Sequence, residues 1–187
     1  MSALATLLTR ILLTAVALAV VLLVFVVEPV LGPDEAGSVL LLDRGRKPRV
    51  GDLVSCTQST QSAAKPIVAR VAGSAGQRVA LKGNLLFLEA EPMERRPCRG
   101  EELQRFPKAQ ASRCFVERHG DRAWTVLAPP EGRQVDLEVR VPTASVYLLA
   151  DDRTHANADS RGVGPLPRAS CRSVAAEVSA RGFRYRP

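Results

Sequence analysis

Lysine, histidine and aromatic residues are scarce in this chain of 187 residues. Only four of its 26 basic residues are lysines, it has two histidines, and aromatic side chains make up 4%. No basic run is interleaved with aromatic residues, a pattern common in nucleic-acid-binding surfaces, so we expect no nucleic-acid partner. Any chemistry that needs a lysine has four candidates in the whole sequence, namely Lys47, Lys65, Lys82 and Lys108.

Charge is absent from residues 11–27, and only Arg10 interrupts the wider apolar run 3–27. A helix of ~20 residues spans a bilayer core, so we expect a single transmembrane anchor that contacts membrane lipid through residues 3–27. A cleaved secretory signal is the alternative, but it needs a shorter apolar region and small residues after it. Because Arg10, the only charged side chain before the uncharged run 11–27, is positive, we expect a cytoplasmic N-terminus.

The rest of the chain, residues 28–187, is expected to form one extracytoplasmic domain attached to the cytoplasmic (inner) membrane. It keeps a net charge of +6, because Arg10 is the only charged residue before Glu28. Its arginines are scattered, which fits a solvated surface, although a basic surface facing anionic lipid is the alternative.

The cysteines are four in number and distant from one another in sequence. There is no C-x-x-C pair and neither histidine lies beside a cysteine, so the spacing argues against a zinc site, and we predict neither metal nor cofactor. Disulfides are favoured outside the cytoplasm. Of three pairings, we favour Cys98 with Cys114, which flank one polar loop, and, by elimination, Cys56 with Cys171.

The outer domain reads as short strands separated by turn signals, so the predicted fold is mostly β. Residues 90–113, rich in Arg, Glu and Pro, are expected to be a loop, and only the last twenty residues hint at a helical period. The strands are predicted at residues 38–43, 51–56, 66–72, 77–81, 84–89, 114–118, 123–128, 135–141 and 146–150.

Three segments, in the same order as in the family, resemble type I signal peptidases, which are membrane-anchored serine–lysine proteases of the S26 family. They are Gly51-Asp-Leu-Val54, Val68-Ala-Arg-Val-Ala-Gly-Ser-Ala-Gly76 and the polar loop 150–165. The resemblance covers roughly residues 11–85 and 146–178, with about 86–145 as an insertion, and it implies a signal-peptidase-like β domain. The loop keeps the family-signature residues Asp151, Asp152, Arg153, Asp159, Ser160 and Arg161, whose expected role is structural, with both arginines pairing with the three aspartates.

The resemblance also implies a serine nucleophile and a lysine general base, and both positions are substituted. The base position is Ala69, and the nucleophile position falls near Pro29 or Val30. No Ser, Thr or Cys lies between Thr14 and Ser38. Asn157 stands where many relatives carry a serine. Ser38 and Lys65 are the weak candidates for a relocated pair.

We therefore expect an inactive relative of signal peptidase that binds exported peptides, such as signal peptides, or a partner in protein export or the envelope. Two alternatives remain open. One is an active peptidase that uses a relocated nucleophile and base to cleave preproteins. The other is a structural envelope module that uses the fold against lipid or a partner.

Overall fold

The computed structural model describes residues 3–30, 38–43, 45–58, 66–105, 113–130, 136–154, 159–179 and 182–185. Its contacts divide the chain into two compact units. The terminal unit combines residues 1–46 with residues 173–187, and the central unit comprises residues 47–172.

The terminal unit begins with helix α1 (Ala3–Val24), followed by strands β1 (Phe25–Val30) and β2 (Ser38–Asp43). Side chains of α1 between residues 7 and 21 are exposed. In the described part of the chain, no helix combines the length and apolar character needed to cross a membrane. The expectation that residues 25–27 continue the helix is wrong, because the β-branched residues there begin β1.

A β-hairpin follows the helix, since β1 and β2 pair antiparallel from Phe25 opposite Asp43 to Val30 opposite Ser38. The terminal unit also contains most of β14 (Cys171–Ser179), which pairs with β2, and β15 (Gly182–Tyr185), which pairs with β14. The hint of a helical period near the C-terminus is therefore misleading, because these residues form strands.

The central unit contains three antiparallel sheets. The first places β3 (Leu53–Cys56), β4 (Ile67–Ser74), β12 (Ser145–Leu149) and β13 (Leu166–Pro167) side by side in that order. The second has the order β11 (Leu137–Arg140), β5 (Arg78–Lys82), β6 (Leu85–Leu88), β7 (Glu91–Pro92). The third has the order β10 (Arg122–Leu127), β9 (Cys114–His119), β8 (Glu94–Pro97). A short helix α2 (Ser160–Val163) and 3₁₀-helices at Gly100–Arg105 and Arg168–Ser170 connect strands.

Residues 91–105 contradict the expected loop, since they form β7, β8 and a 3₁₀-helix. Met93 is buried between the two strands and donates its N–H to Leu86 O at 2.7 Å. The guanidinium of Arg95 stacks on Phe115, 3.4 Å from the ring centroid. The polar composition conceals these strands because arginine can cover an aromatic face with its planar group.

Strand β4 contributes to two of the apolar clusters in the core of the central unit. Side chains alternate between the two faces of a strand. Ala69 and Val71 accordingly belong to one cluster and Ala72 to the other, which is built around Trp124. Arg70 lies on the same face as Ala72, where its guanidinium is 5.4 Å from the Trp124 ring centroid.

Candidate functional site

Ala69, predicted to stand at the base position, is buried. It is 1% exposed and lies opposite Val54 in the β3–β4 ladder. It packs in a hydrophobic cluster with Val54, Cys56, Val71, Val146, Leu148, Leu166 and Cys171. Its own side chain is a methyl group, which cannot take a proton from a hydroxyl.

The residues predicted near the nucleophile position, Pro29 and Val30, lie at the end of β1 in the terminal unit. They pair with Val39 and Ser38, so the relocation candidate Ser38 begins the next strand. Neither proline nor valine carries a nucleophilic side chain. Residues 31–37 lie outside the described residues.

Lysine is equally absent from the buried part of the described chain. Lys47 is exposed, and Lys82 is exposed at the end of β5 with its Nζ 5.4 Å from the Phe87 ring centroid. A lysine base needs desolvation to lower its pKa, and both of these ammonium groups face water. Lys65, Lys108, His155 and Asn157 lie outside the described residues.

Asp151 of the signature loop is held by β4. Arg70 Nε and Nη2 donate to the two carboxylate oxygens at 2.7 and 2.8 Å, and Nη1 donates to Gly51 O at 2.7 Å. Gly51 has φ +88°, a conformation that glycine adopts without strain. Arg70 thus fixes the start of the loop against two strands. Sequence reasoning missed this role, although a lone arginine within the apolar run 67–72 signals a buried partner.

Arg153 pairs with Glu117 on β9, not with an aspartate of its own loop as the sequence suggested. Both terminal nitrogens donate to the carboxylate, and the pair is buried, with side-chain exposures of 3% and 0%. Asn84 O accepts from Arg95 Nη1 at 3.1 Å. Burial lowers the pKa of Arg95, an effect that Glu117 opposes and Arg153 reinforces. The insertion and the signature loop therefore share one buried charge cluster.

Asp159 and Ser160 close the outer edge of β12 beyond its short pairing with β13. Leu148 N donates to Ser160 Oγ at 2.9 Å, and Ala150 N donates to Asp159 Oδ2 at 2.9 Å. Asp159 also caps α2 by accepting from Arg161 N at 2.9 Å. An edge strand whose N–H groups are satisfied by side chains offers no ladder to another chain.

Arg161 completes this arrangement in the way the sequence predicts for its charge. Its Nε and Nη2 donate to Asp159, the Nη2 distance being 2.7 Å, while Nη1 donates to Arg153 O at 2.8 Å. Asp152 accepts from Thr154 N and Oγ1 at 2.9 and 2.6 Å. Hydrogen bonds therefore connect the described signature residues to one another and to the neighbouring strands, and their structural role stays a prediction.

A small pocket lies beside this loop, with an empty volume of about 190 Å³ including its open mouth. Arg70, Asp151, Arg153 and Trp124 line it together with aliphatic residues. Ala69 is not among the lining residues, because Arg70 and Ala69 lie on opposite faces of β4. The pocket therefore does not include the base position.

Two disulfides brace the central unit. One joins Cys56 and Cys171, which we call the core disulfide, and the other joins Cys98 and Cys114, which we call the loop disulfide. These are the pairs favoured by the sequence, and each bond keeps its cysteines buried. Within the described ranges, no group of three or more His, Cys, Asp or Glu side chains could hold a metal ion, so the expectation of no metal or cofactor stays a prediction.

Comparison with known proteins gives two findings. The family model for signal peptidase, peptidase S26, matches residues 5–179. A crystal structure of a signal peptidase I from Enterococcus faecalis V583 is similar, with 18% identity and a TM-score of 0.43, over 69% of this chain and 97% of that chain. Among curated proteins there is no match.

Proposed function

Because the chain belongs to the signal peptidase, peptidase S26 family, we propose that it is a member without peptidase activity that binds exported peptides at the membrane. The observation that carries this proposal is the burial of Ala69 in an aliphatic cluster at the family's base position. A methyl group cannot accept the proton of a nucleophile. The lysine base of the family depends on a titratable amine at this position.

Relocation of the base is disfavoured by the same environment. A replacement amine at position 69 would have to enter the buried hydrophobic cluster around Ala69 and the core disulfide. The described lysines, Lys47 and Lys82, are exposed, so their ammonium groups are not desolvated. The relocation candidate Lys65 precedes Pro66, and proline favours the start of a strand over its interior.

Binding is the function that such a scaffold retains. An extended peptide can join a sheet edge through main-chain hydrogen bonds, with side-chain pockets adding selectivity. The outer edge of β12 is excluded as this site, because Asp159 and Ser160 already satisfy its N–H groups. We infer that an exported peptide binds elsewhere in the domain, and that the signature loop supports the site without contacting the peptide backbone along this edge.

The membrane location is part of the proposal. Its support is the uncharged run 11–27, and the exposed aliphatic side chains of α1, such as Ile11 at 58% and Leu12 at 65%. Apolar side chains exposed on all sides of a helix suit a lipid environment. We propose a single span through α1, Ala3–Val24, with a cytoplasmic N-terminus and the remaining chain outside, where buried disulfides are stable.

The test is a preprotein cleavage assay with the full chain in lipid, using an active signal peptidase as positive control, combined with titration of a synthetic signal-sequence peptide. We expect no cleavage and saturable binding. Turnover that disappears in Ser38→Ala or Lys65→Ala would establish the relocated active site. If the chain shows no turnover and no peptide binding, the structural envelope module is favoured instead.

A further inference from the structure

Two stretches of chain without acidic residues meet on the central unit. Residues 44–51 contain four basic residues and residues 160–176 contain three, with no Asp or Glu in either. The stretches touch, because Arg168 Nη2 donates to Pro48 O at 2.8 Å. Their contact concentrates positive charge that is scattered elsewhere in the sequence.

The exposed basic side chains at this meeting point are Lys47, Arg49 and Arg172. We call these three residues the basic patch. Arg172 Nη1 donates to Ala169 O at 2.8 Å, and this backbone acceptor is uncharged. The three cationic groups therefore face solvent beside a backbone scaffold fixed by Arg168.

Nearby acids do not cancel the patch. Asp52 is 6% exposed, and its carboxylate is engaged by the guanidinium of Arg122 and by Arg49 N, the latter at 2.9 Å. Asp43 accepts two backbone N–H groups from the turn that follows it, at 2.8 and 3.1 Å, and keeps its negative charge. One carboxylate cannot offset three cationic side chains, so the patch keeps an excess of positive charge.

The patch lies at the two points where the chain passes between the two units. Lys47 is the first residue of the central unit and Arg172 is its last. The terminal unit contains the apolar helix α1. Two short segments of chain therefore link the patch to the proposed anchor.

We propose that the basic patch docks onto anionic phospholipid headgroups of the membrane in which α1 is anchored. This inference rests on the proposed anchoring of α1. Each Lys or Arg near an anionic membrane surface strengthens binding roughly fivefold, so the three residues together shift the docking equilibrium roughly 100-fold. The contact orients the central unit on the membrane in addition to tethering it.

The single tryptophan gives a direct readout of this docking. Trp124 lies near the patch, since a Cβ atom at Gly51, two residues after Arg49, would be 2.8 Å from Trp124 Cζ3. The full chain is reconstituted in phosphatidylcholine vesicles that carry dansyl-labelled headgroups, with and without phosphatidylglycerol. Energy transfer from Trp124 to dansyl then reports how closely the central unit approaches the bilayer.

We expect phosphatidylglycerol to increase the transfer at about 0.01 M salt and to lose this effect near 1 M, where the Debye length falls from ~30 to ~3 Å. The triple variant Lys47→Gln/Arg49→Gln/Arg172→Gln should lose the increase. A control with the same charge change removes three exposed arginines elsewhere on the central unit, Arg78, Arg118 and Arg140, and should retain it. Equal loss in both variants, or no lipid dependence in the parent, overturns the proposal.

Flotation separates this proposal from that of the anchor. A chain that floats with phosphatidylcholine vesicles but shows no phosphatidylglycerol effect is anchored and lacks the docking surface. A chain that floats only with phosphatidylglycerol vesicles, in a patch-dependent way, docks without a membrane span. A chain that floats with neither refutes both.

Discussion

The buried pair of Arg153 and Glu117 allows a quantitative test of how the signature loop is held. Glu117 is fully buried and binds both terminal nitrogens of Arg153, whose side chain is 3% exposed. In Glu117→Gln the shape is kept, but the guanidinium loses its charged acceptor inside the protein. Removing one partner of a buried ion pair costs about 3–5 kcal/mol, because the remaining charge is left uncompensated.

For a chain of this size, ~1 kcal/mol changes the unfolding temperature by ~2–4 °C. We therefore expect Glu117→Gln to lower Tm by about 6–20 °C. The measurement is thermal unfolding of the full chain in detergent, followed by far-ultraviolet circular dichroism. The control is Glu102→Gln, which breaks the pair between Arg96 and Glu102 on the surface, where side-chain exposures are 50% and 29%. Exposed pairs contribute little, so Tm should hardly change.

A double variant distinguishes loss of a charge partner from loss of packing. Glu117→Met combined with Arg153→Met removes both charges and keeps comparable volume. Arg95 then loses the attraction of Glu117 and the repulsion of Arg153 together, and these effects oppose each other on its pKa. We expect the double variant to recover at least half of the lost Tm. A double variant as unstable as the single, or a single variant with unchanged Tm, would refute the charge argument.

Three further predictions follow from the same contacts. Ala69→Lys should unfold at a lower temperature, because an amine enters an aliphatic cluster. It should also restore no preprotein cleavage, and cleavage above background would contradict the proposed absence of a nucleophile. Burial raises the pKa of Tyr147 to about 12. The difference between the absorbance titrations of the parent and of Tyr147→Phe should therefore show ionisation near pH 12. The stability that depends on the neutral phenol should persist below pH 10 and be lost between pH 10 and 12. Replacing the core disulfide by alanines should lower the free energy of unfolding by about 4.7 kcal/mol, and replacing the loop disulfide by about 3 kcal/mol, from chain entropy. The difference arises because the paired cysteines are 115 and 16 residues apart. Equal losses in urea unfolding would contradict this.

Local patterns were sufficient for most strands but not for the arginine-rich insertion. Residues 114–118 and 123–128 alternate or cluster apolar side chains around a Gly-Asp turn, and the hairpin forms there. Strand β8 contains Glu94, Arg95 and Arg96, which composition assigns to a loop. Its stability depends on Arg95 covering Phe115, a contact between segments that strand periodicity does not reveal.

The partners of the signature residues show the same limit. Arg161 and Asp159 are two residues apart, so their pairing could be read from the sequence. Arg153 is 36 residues from Glu117 and Arg70 is 81 residues from Asp151. Only the strand order brings those charges together. Sequence reasoning therefore predicted acceptors for Arg153 within the loop, whereas the fold supplies Glu117 from β9.

The two faces of β4 explain how this scaffold can keep its signature with an alanine at position 69. Arg70 points to the Trp124 side, where it holds Asp151, while Ala69 points to the aliphatic cluster on the other side. Neighbouring residues on a strand do not share a face, so an alanine at position 69 leaves the Arg70–Asp151 pair intact. The signature loop is consequently evidence for the fold, whereas the residue at position 69 bears on the chemistry. On this argument, activity in such a chain is judged from the base position and not from the loop.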